Sequence, residues 1–235
     1  MLSHLPYRQL IDSMMYAMTG TRPDIAYAIG KLSRYLCSYT ENHFCAAMDL
    51  LRYLKGTRDV RIVYQGCSGL QLWGMVDSAF IDKDKKGKST SGYLMVLAGG
   101  AVEWCSAFQK VTAHSSVEAE YMAAGEATSA AVGLRLFIEE LGFSQDGPTP
   151  LQEDNQPCIA LSLNNCQHFK TRHIKKEHHF IRDYVKSGDV TLVYTPTGEQ
   201  AADALTKPAT RRSLELLFMK CGLHLYNDGQ ECWSR

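Results

Sequence analysis

Apolar residues in the first part of the chain recur at helical spacing. Between Pro6 and about Lys55 they fall three or four residues apart in two successive stripes, which predicts a leader of two or three helices. Pro23 interrupts the pattern, and Gly56 is expected to end the last helix in a left-handed conformation. An all-helical unit should therefore precede the rest of the chain.

From Thr57 onward the apolar period shortens to two, and then strands and helices alternate. A capping box, Ser115 to Glu118, should begin a long helix that Gly142 ends. Strands are predicted over residues 60–65, 70–79, 92–98, 102–108, 149–154 and 190–194, and further helices over residues 155–163, 174–186, around 201 and over 211–220. This order is typical of the α/β class, with a mixed sheet flanked by helices.

Composition narrows the class of protein without indicating a partner. Lys and Arg together number 25, as do Asp and Glu, so the formal net charge is zero and any affinity for nucleic acid must come from local charge. The eight cysteines are scattered, which favours reduced thiols inside a cell. The start lacks a signal segment and no apolar run could cross a bilayer, so we expect a soluble cytoplasmic protein with no membrane partner.

Four acidic residues occupy positions where a carboxylate could serve chemistry. Two follow apolar strands, one begins the long helix, and one lies in a short helix after the last strand; in that order they are Asp77, Asp154, Glu120 and Asp203. Each also has an ordinary explanation, as the start of a turn, a helix N-cap or part of a solvated helix face. Periodicity alone leaves both interpretations open.

Several longer motifs are more specific. They occur in a fixed order as YRQLI (7–11), TRPDI (21–25), LRYLKGT (51–57), KSTSGY (88–93), SSVEAEY (115–121), EDNQ (153–156) and ADALTK (202–207). Together they resemble the C-terminal part of copia-type retrotransposon Pol polyproteins, from Pro6 to about Leu217. The resemblance leaves only the tail from Cys221 unplaced.

The resemblance implies an organisation and an activity. Residues 1–60 would be the end of a reverse transcriptase, residues 61–210 a ribonuclease H-like domain with a mixed five-stranded sheet, and residues 211–235 a C-terminal helix and tail. The domain would be a metal-dependent endonuclease that hydrolyses the RNA strand of RNA/DNA hybrids. Its expected partners are the hybrid and the reverse transcriptase portion of the same polyprotein.

The same resemblance gives the acids their roles. Catalysis and metal binding would fall to Asp77, Glu120, Asp154 and Asp203, which would hold two Mg²⁺ ions, with Mn²⁺ as a substitute. Asp77 would bridge both ions, and Asp203 would help hold the ion that activates water. The other two acids would hold the ion facing the leaving oxygen.

Substrate contacts are predicted beside the acids. Asn155 or Gln156 could read the 2′-hydroxyl that marks RNA, although an amide at a helix start is equally a cap. The segment 170–186 has a local excess of positive charge, which favours a phosphate track formed by Lys170, Arg172, Lys175, Lys176, Arg182 and Lys186. Its neighbours His168, His173, His178 and His179 invite a zinc interpretation, but no paired cysteines accompany them, so packing and hydrogen bonding are favoured.

Departures from the family pattern support a second hypothesis. The family's Asp-Ala-Asp-Trp reads Asp77-Ser78-Ala79-Phe80, its Lys-Lys reads Ala107-Phe108, and the loop 195–200 lacks the histidine of related enzymes. The chain could therefore be a catalytically weak or inactive remnant that acts only as a nucleic-acid-binding module. The leader helices would serve as packing, so that a chain starting near Leu70 should still cleave.

Overall fold

The helices and strands follow the predicted order in a computed structural model that describes residues 6–66, 69–80, 87–163, 175–227 and 230–231. The helices are α1 (Tyr7–Gly20), α2 (Ala26–Ser33), α3 (Glu41–Gly56), α4 (Ser116–Glu140), α5 (Gln156–Leu163), α6 (Lys175–Ser187), α7 (Asp203–Thr206) and α8 (Arg211–Cys221). The strands are β1 (Val60–Ile62), β2 (Trp73–Ala79), β3 (Thr90–Leu97), β4 (Gly100–Phe108), β5 (Thr149–Glu153), β6 (Val190–Tyr194), β7 (Leu223–Asn227) and β8 (Gln230–Glu231).

One mixed sheet organises the molecule. Within the described residues it has five strands in the order β4-β3-β2-β5-β6, with β2, β3 and β4 antiparallel and β5 and β6 parallel to β2. The central strand β2 is buried on both faces, because α4 covers one face while α7 and α8 cover the other. The predicted α/β class with a five-stranded mixed sheet is confirmed.

Helix α4 packs closely on the sheet through alanines. Ala123, Ala127 and Ala131 are fully buried against strand residues such as Val76, and their small side chains let the helix axis approach the sheet. The predicted start is confirmed, since Ser115 Oγ accepts a hydrogen bond from the backbone N–H of Glu118. The predicted end at Gly142 is also observed, with φ of +90°.

A buried ion pair fixes the leader helices. Arg22 donates hydrogen bonds of 2.9 and 2.7 Å to the two carboxylate oxygens of Asp24, which also accepts one from the Tyr53 hydroxyl at 2.7 Å. Arg22 also donates to the carbonyl oxygen of Thr57. The expected left-handed cap at Gly56 is wrong: Gly56 remains helical, and Thr57 ends α3 by donating its backbone N–H to Tyr53 and Leu54.

The leader and the tail share a core with the sheet. The predicted strand 60–65 is shorter and lies outside the main sheet, because β1 pairs with β7, formed by the previously unplaced tail. Ala26 and Val60 are buried in the same cluster as Met75 and Leu205. The indole N–H of Trp104 also donates to the carbonyl of Met18. The leader is therefore part of the packing that supports α7.

None of the helices in the described residues combines the length and hydropathy needed to cross a lipid bilayer.

Candidate active site

Asp77 lies near the end of the central strand and is 1% exposed. A buried carboxylate requires a compensating donor or cation, and the end of α7 supplies both. The Thr206 hydroxyl donates a hydrogen bond to Asp77 Oδ2, and Lys207 Nζ lies 3.6 Å from the same oxygen. Asp77 is thus held as part of a polar cluster rather than as the start of a turn.

Glu120 and Asp154 approach Asp77 from two other elements. Parallel strands end at the same edge of a sheet, so Asp154, directly after β5, lies beside the end of β2. Glu120 lies near the start of α4 and is 7% exposed. One oxygen from each of Asp77, Glu120 and Asp154 lies within 4.8 Å of the others. Three of the four predicted acids therefore converge.

Asp203, the fourth predicted acid, is connected to Asp77 through Lys207. Its Oδ1 accepts a 2.8 Å ion-pair hydrogen bond from Lys207 Nζ, which also faces Asp77. Among the described residues, Asp203 is not part of the group of oxygens that the other three acids form. Lys207 Nζ links Asp203 to that group, since it lies 3.6 Å from Asp77 Oδ2.

Burial and mutual repulsion raise the pKa values of two acids of the cluster, Glu120 and Asp77. Burial, together with the nearby carboxyls of Glu153 and Asp77, raises the pKa of Glu120 to about 10. Burial likewise raises the pKa of Asp77 to about 6, although the charge of Lys207 opposes this rise. A divalent cation would relieve both penalties, because it stabilises the ionised carboxylates.

Glu153 is a fifth carboxyl at this edge, and reasoning from the sequence missed it. It is fully buried, and its Oε1 accepts a hydrogen bond from the backbone N–H of Asn155. Its Oε2 has no hydrogen-bond partner among the described residues, and burial raises its pKa to about 9. The period of two along β5, with Thr149 and Leu151 inward, was the signal that places Glu153 inward as well.

Two further residues hold the acids in position, and the sequence pattern did not reveal either of them. The Thr197 hydroxyl donates a 2.7 Å hydrogen bond to Asp154 Oδ2. Gln200 is 1% exposed and donates from Nε2 to the carbonyls of Val76 and Gln152, which joins β2 to β5 just before the two acids. Such contacts from the 195–200 loop depend on tertiary structure, so no local pattern indicates them.

Asn155 and Gln156, the residues predicted to contact the 2′-hydroxyl, differ in their contacts and exposure. Asn155 Oδ1 accepts a hydrogen bond from the backbone N–H of Cys158, as a cap at the start of α5 does. Gln156, the next residue, is exposed. The cap interpretation of Asn155 is therefore observed, while a substrate role for either amide stays a prediction.

The predicted phosphate track is described only in part. Arg182 is 6% exposed and its Nε donates to the carbonyl of Leu161, so it serves packing between α6 and α5 rather than the surface. Lys186 is exposed at the end of α6. Outside the described residues or side chains lie Lys170, Arg172, Lys175 and Lys176, and also His168, His173, His178 and His179.

The donor set fits a hard divalent cation. Carboxylate oxygens are the ligands that Mg²⁺ and Mn²⁺ prefer, and here three of them lie within 4.8 Å of one another. Glu120 Oε2 is buried and has no hydrogen-bond partner among the described residues, so it is available as a ligand. The cluster is suited to metal binding by both chemistry and geometry.

Comparisons with known proteins identify relatives of the chain. The chain is an α/β protein whose five-stranded mixed sheet gathers carboxylates at the end of its central strand. The chain belongs to the family of copia-type retrotransposon Pol polyproteins. It is 37% identical over 223 residues to the Pol polyprotein of transposon TNT 1-94 from Nicotiana tabacum, which is 95% of this chain and 17% of that protein.

Other relatives extend the comparison. The Pol polyprotein of transposon RE2 from Arabidopsis thaliana is 34% identical over 92% of this chain, and the chain spans 15% of that protein. A protein named secreted RxLR effector protein 161, from Plasmopara viticola, is 38% identical over 57% of this chain and 94% of its own length. No protein-family model matches the chain.

Solved structures show a more distant likeness. A ribonuclease H1 from Halobacterium salinarum is 19% identical, with a TM-score of 0.43 over 58% of this chain and 94% of that one. The LC11 ribonuclease H1 is 17% identical, with a TM-score of 0.45 over 61% of this chain and 98% of that one.

Proposed function

We propose that this chain is a metal-dependent endonuclease that hydrolyses the RNA strand of RNA/DNA hybrids. The observation that carries the proposal is the convergence of Asp77, Glu120 and Asp154, which come from three separate elements of the fold. Membership of the Pol polyprotein family supports it independently. Cleavage would leave a 3′-hydroxyl and a 5′-phosphate.

The acids would hold two Mg²⁺ ions, for which Mn²⁺ could substitute. Asp77, Glu120 and Asp154 would hold one, and Asp203 would join Asp77 at the other. When bound, such ions lower the pKa of an attacking water and stabilise the charge on the leaving oxygen. Five acidic side chains at one sheet edge would otherwise repel one another and the phosphodiester.

The remaining residues of the site would keep the ligands in place. Thr197 orients the Asp154 carboxylate through its hydroxyl, and Thr206 does the same for Asp77. Gln200 fixes the separation of the two strands that carry these acids. Preorganised carboxylates avoid the cost of gathering them during the reaction.

The substrate would lie across this edge of the sheet. Gln156, which is exposed two residues after Asp154, would contact the 2′-hydroxyl of the RNA strand, with Asn155 as its neighbour. Phosphate contacts would come from Lys170, Arg172, Lys175, Lys176 and Lys186. Arg182 is left out of this set because it is buried.

The polyprotein context would supply a second partner. The chain spans only 15% to 17% of the length of the plant Pol polyproteins that it matches. We propose that α1–α3 form the end of the reverse transcriptase portion and connect the nuclease to the polymerase that makes the hybrid. Their shared core with the sheet would hold the two activities in a fixed relation.

A hydrolysis assay tests the proposal. The purified full chain is incubated with a hybrid whose RNA strand carries a 5′ label, with Mg²⁺, with Mn²⁺ and with EDTA. We expect RNA fragments only with metal, and none with the Asp77→Asn variant. The matched control is Asp146→Asn, which removes an exposed acid and should cleave like the wild type.

Two outcomes would count against the nuclease. Cutting that persists in EDTA, or full activity of the Asp77→Asn variant, would contradict the metal-dependent mechanism. Binding of the hybrid without loss of RNA in either metal would favour the second hypothesis, a remnant that only binds nucleic acid. A steep loss of that affinity with salt would locate the contact on the phosphates.

A further inference from the structure

The positively charged side chain of Lys207 lies against the acidic cluster. Its Nζ lies 2.8 Å from Asp203 Oδ1 and 3.6 Å from Asp77 Oδ2. The cluster is therefore asymmetric. Among the described residues, the Glu120 and Asp154 side brings carboxylate oxygens within 4.8 Å of one another, whereas an ammonium group offsets the charge on the Asp203 side.

The position of Lys207 is set by the fold and not only by its flexible side chain. Its backbone N–H donates to the carbonyl of Asp203, four residues earlier, so both residues belong to one turn at α7. The carboxylates of Asp77 and Asp203 both lie beside the ammonium and stabilise its charge. The ammonium is therefore charged at physiological pH.

We propose that Lys207 is an internal counter-ion that holds the position between Asp77 and Asp203 until a divalent cation displaces it. This inference rests on the proposed function, since it concerns the second of the two cations. An ammonium and a divalent cation cannot share these oxygens without strong repulsion. Because its side chain is 46% exposed, Lys207 can move to solvent when the cation enters.

Lys207 would consequently set the concentration of metal at which the second position fills. Removing its charge removes the competitor, so the affinity of that position for a divalent cation should rise. The gain must depend on Asp203, because Asp203 is the ligand that Lys207 occupies. A purely structural role for Lys207 would predict no such dependence.

Calorimetric titration of the metal-free full chain with Mn²⁺ tests the inference without nucleic acid. We expect Lys207→Met to tighten the weaker Mn²⁺ site by about tenfold, which corresponds to about 1.4 kcal/mol. Lys207→Arg, which keeps the charge, should bind like the wild type. In the Asp203→Asn background, Lys207→Met should produce no gain.

Each other result would overturn the inference. Equal titrations of the wild type and Lys207→Met would show that the ammonium does not compete with the cation. A gain in Mn²⁺ affinity that survives Asp203→Asn would also contradict the inference. So would an absence of Mn²⁺ binding to both proteins. Lys207→Gln serves as a second neutral variant if the methionine variant unfolds. Hybrid cleavage by the wild type judges the proposed function separately, so the two failures are distinguishable.

Discussion

Gly92 in β3 and Thr206 in α7 are in direct contact, so that a methyl group on Gly92 would lie 2.6 Å from Thr206 Cγ2. Gly92 also pairs with Asp77 in the register between β2 and β3. The absence of a side chain at Gly92 lets α7 approach the sheet, and this approach brings the Thr206 hydroxyl to Asp77. A glycine in the KSTSGY motif thus shapes the site without contributing a ligand.

Gly92→Ala should therefore weaken the site from a distance. The added Cβ would meet Leu205 Cβ at 2.9 Å as well as Thr206, so α7 must shift away from Asp77. Overpacking of this kind costs about 1–3 kcal/mol of unfolding free energy. We expect that loss in urea denaturation, together with weaker Mn²⁺ binding in calorimetry.

Gly133→Ala provides the control for that substitution. Gly133 lies on α4, and a Cβ there would meet nothing within 4 Å. The change should raise the unfolding free energy by about 0.5–1 kcal/mol and leave Mn²⁺ binding unchanged. If Gly92→Ala bound Mn²⁺ as tightly as Gly133→Ala, close approach of α7 would not matter to the site.

Thr197→Val should loosen Asp154 while preserving the volume of the side chain. The substitution removes the hydroxyl that donates to Asp154 Oδ2. A hydrogen bond to a charged group contributes about 1.5–3 kcal/mol, and this exposed one should contribute less because water competes for both partners. We expect the Mg²⁺ concentration for half-maximal cleavage to rise about threefold to tenfold. Thr197→Ser, which keeps the hydroxyl, should restore the wild-type value.

The local pattern of the sequence was sufficient to predict where three of the acids lie along the strands and helices. The apolar period placed Asp77 and Asp154 at strand ends, which lie close together because parallel strands share an edge. The capping box placed Glu120 near a helix start, and all three acids converge. The local pattern could not indicate that Lys207 pairs with two of the acids or that Gln200 joins the strands that carry Asp77 and Asp154. Their roles depend on how α7 and the 195–200 loop fold back over the sheet, and no spacing in the chain encodes that distance.

The leader shows the same division between local and tertiary information. Helical spacing predicted its helices, but Gly56 was assigned a left-handed cap that Thr57 makes unnecessary. Thr57 is held by Arg22, 35 residues earlier in the chain. The TRPDI and LRYLKGT motifs are therefore partners in one buried contact, which a separate reading of each motif does not indicate.

Asp24→Asn should destabilise the whole chain rather than the leader alone. The substitution leaves the Arg22 guanidinium, whose side chain is 6% exposed, without its counter-charge. Breaking one partner of a buried ion pair costs about 3–5 kcal/mol. Because the leader shares a core with Leu205 of α7, we expect a single unfolding transition shifted to lower urea concentration.

Asp49→Asn is the matched control, since the side chains of Asp49 and its partner Arg52 are 71% and 70% exposed. The unfolding free energy of this variant should stay within about 1 kcal/mol of the wild-type value. The shared core also changes the expectation for truncation: a chain starting near Leu70 would lose β1 from β7 and should unfold more readily. Two separate transitions for Asp24→Asn would show instead that the leader is energetically independent.

The buried carboxyls predict that stability without metal falls as pH rises. Burial raises the pKa of Glu120 to about 10 and that of Glu153 to about 9, whereas the unfolded chain releases these protons near pH 4.5. Their stabilising protonation is complete below that pH and is lost as pH rises through the folded-state values. The unfolding free energy in EDTA should therefore decline between about pH 5 and pH 9.

Glu120→Gln isolates this effect because the neutral amide cannot ionise. In EDTA its unfolding free energy should decline less steeply over the same pH range than that of the wild type. Glu140→Gln, an exposed change on the same helix, should follow the wild-type slope. Saturating Mg²⁺ should stabilise the wild type more at pH 8.5 than at pH 6, because the cation binds the ionised carboxylates. Equal slopes for wild type and Glu120→Gln would mean that Glu120 ionises freely in the folded protein and that its surroundings do not oppose its charge.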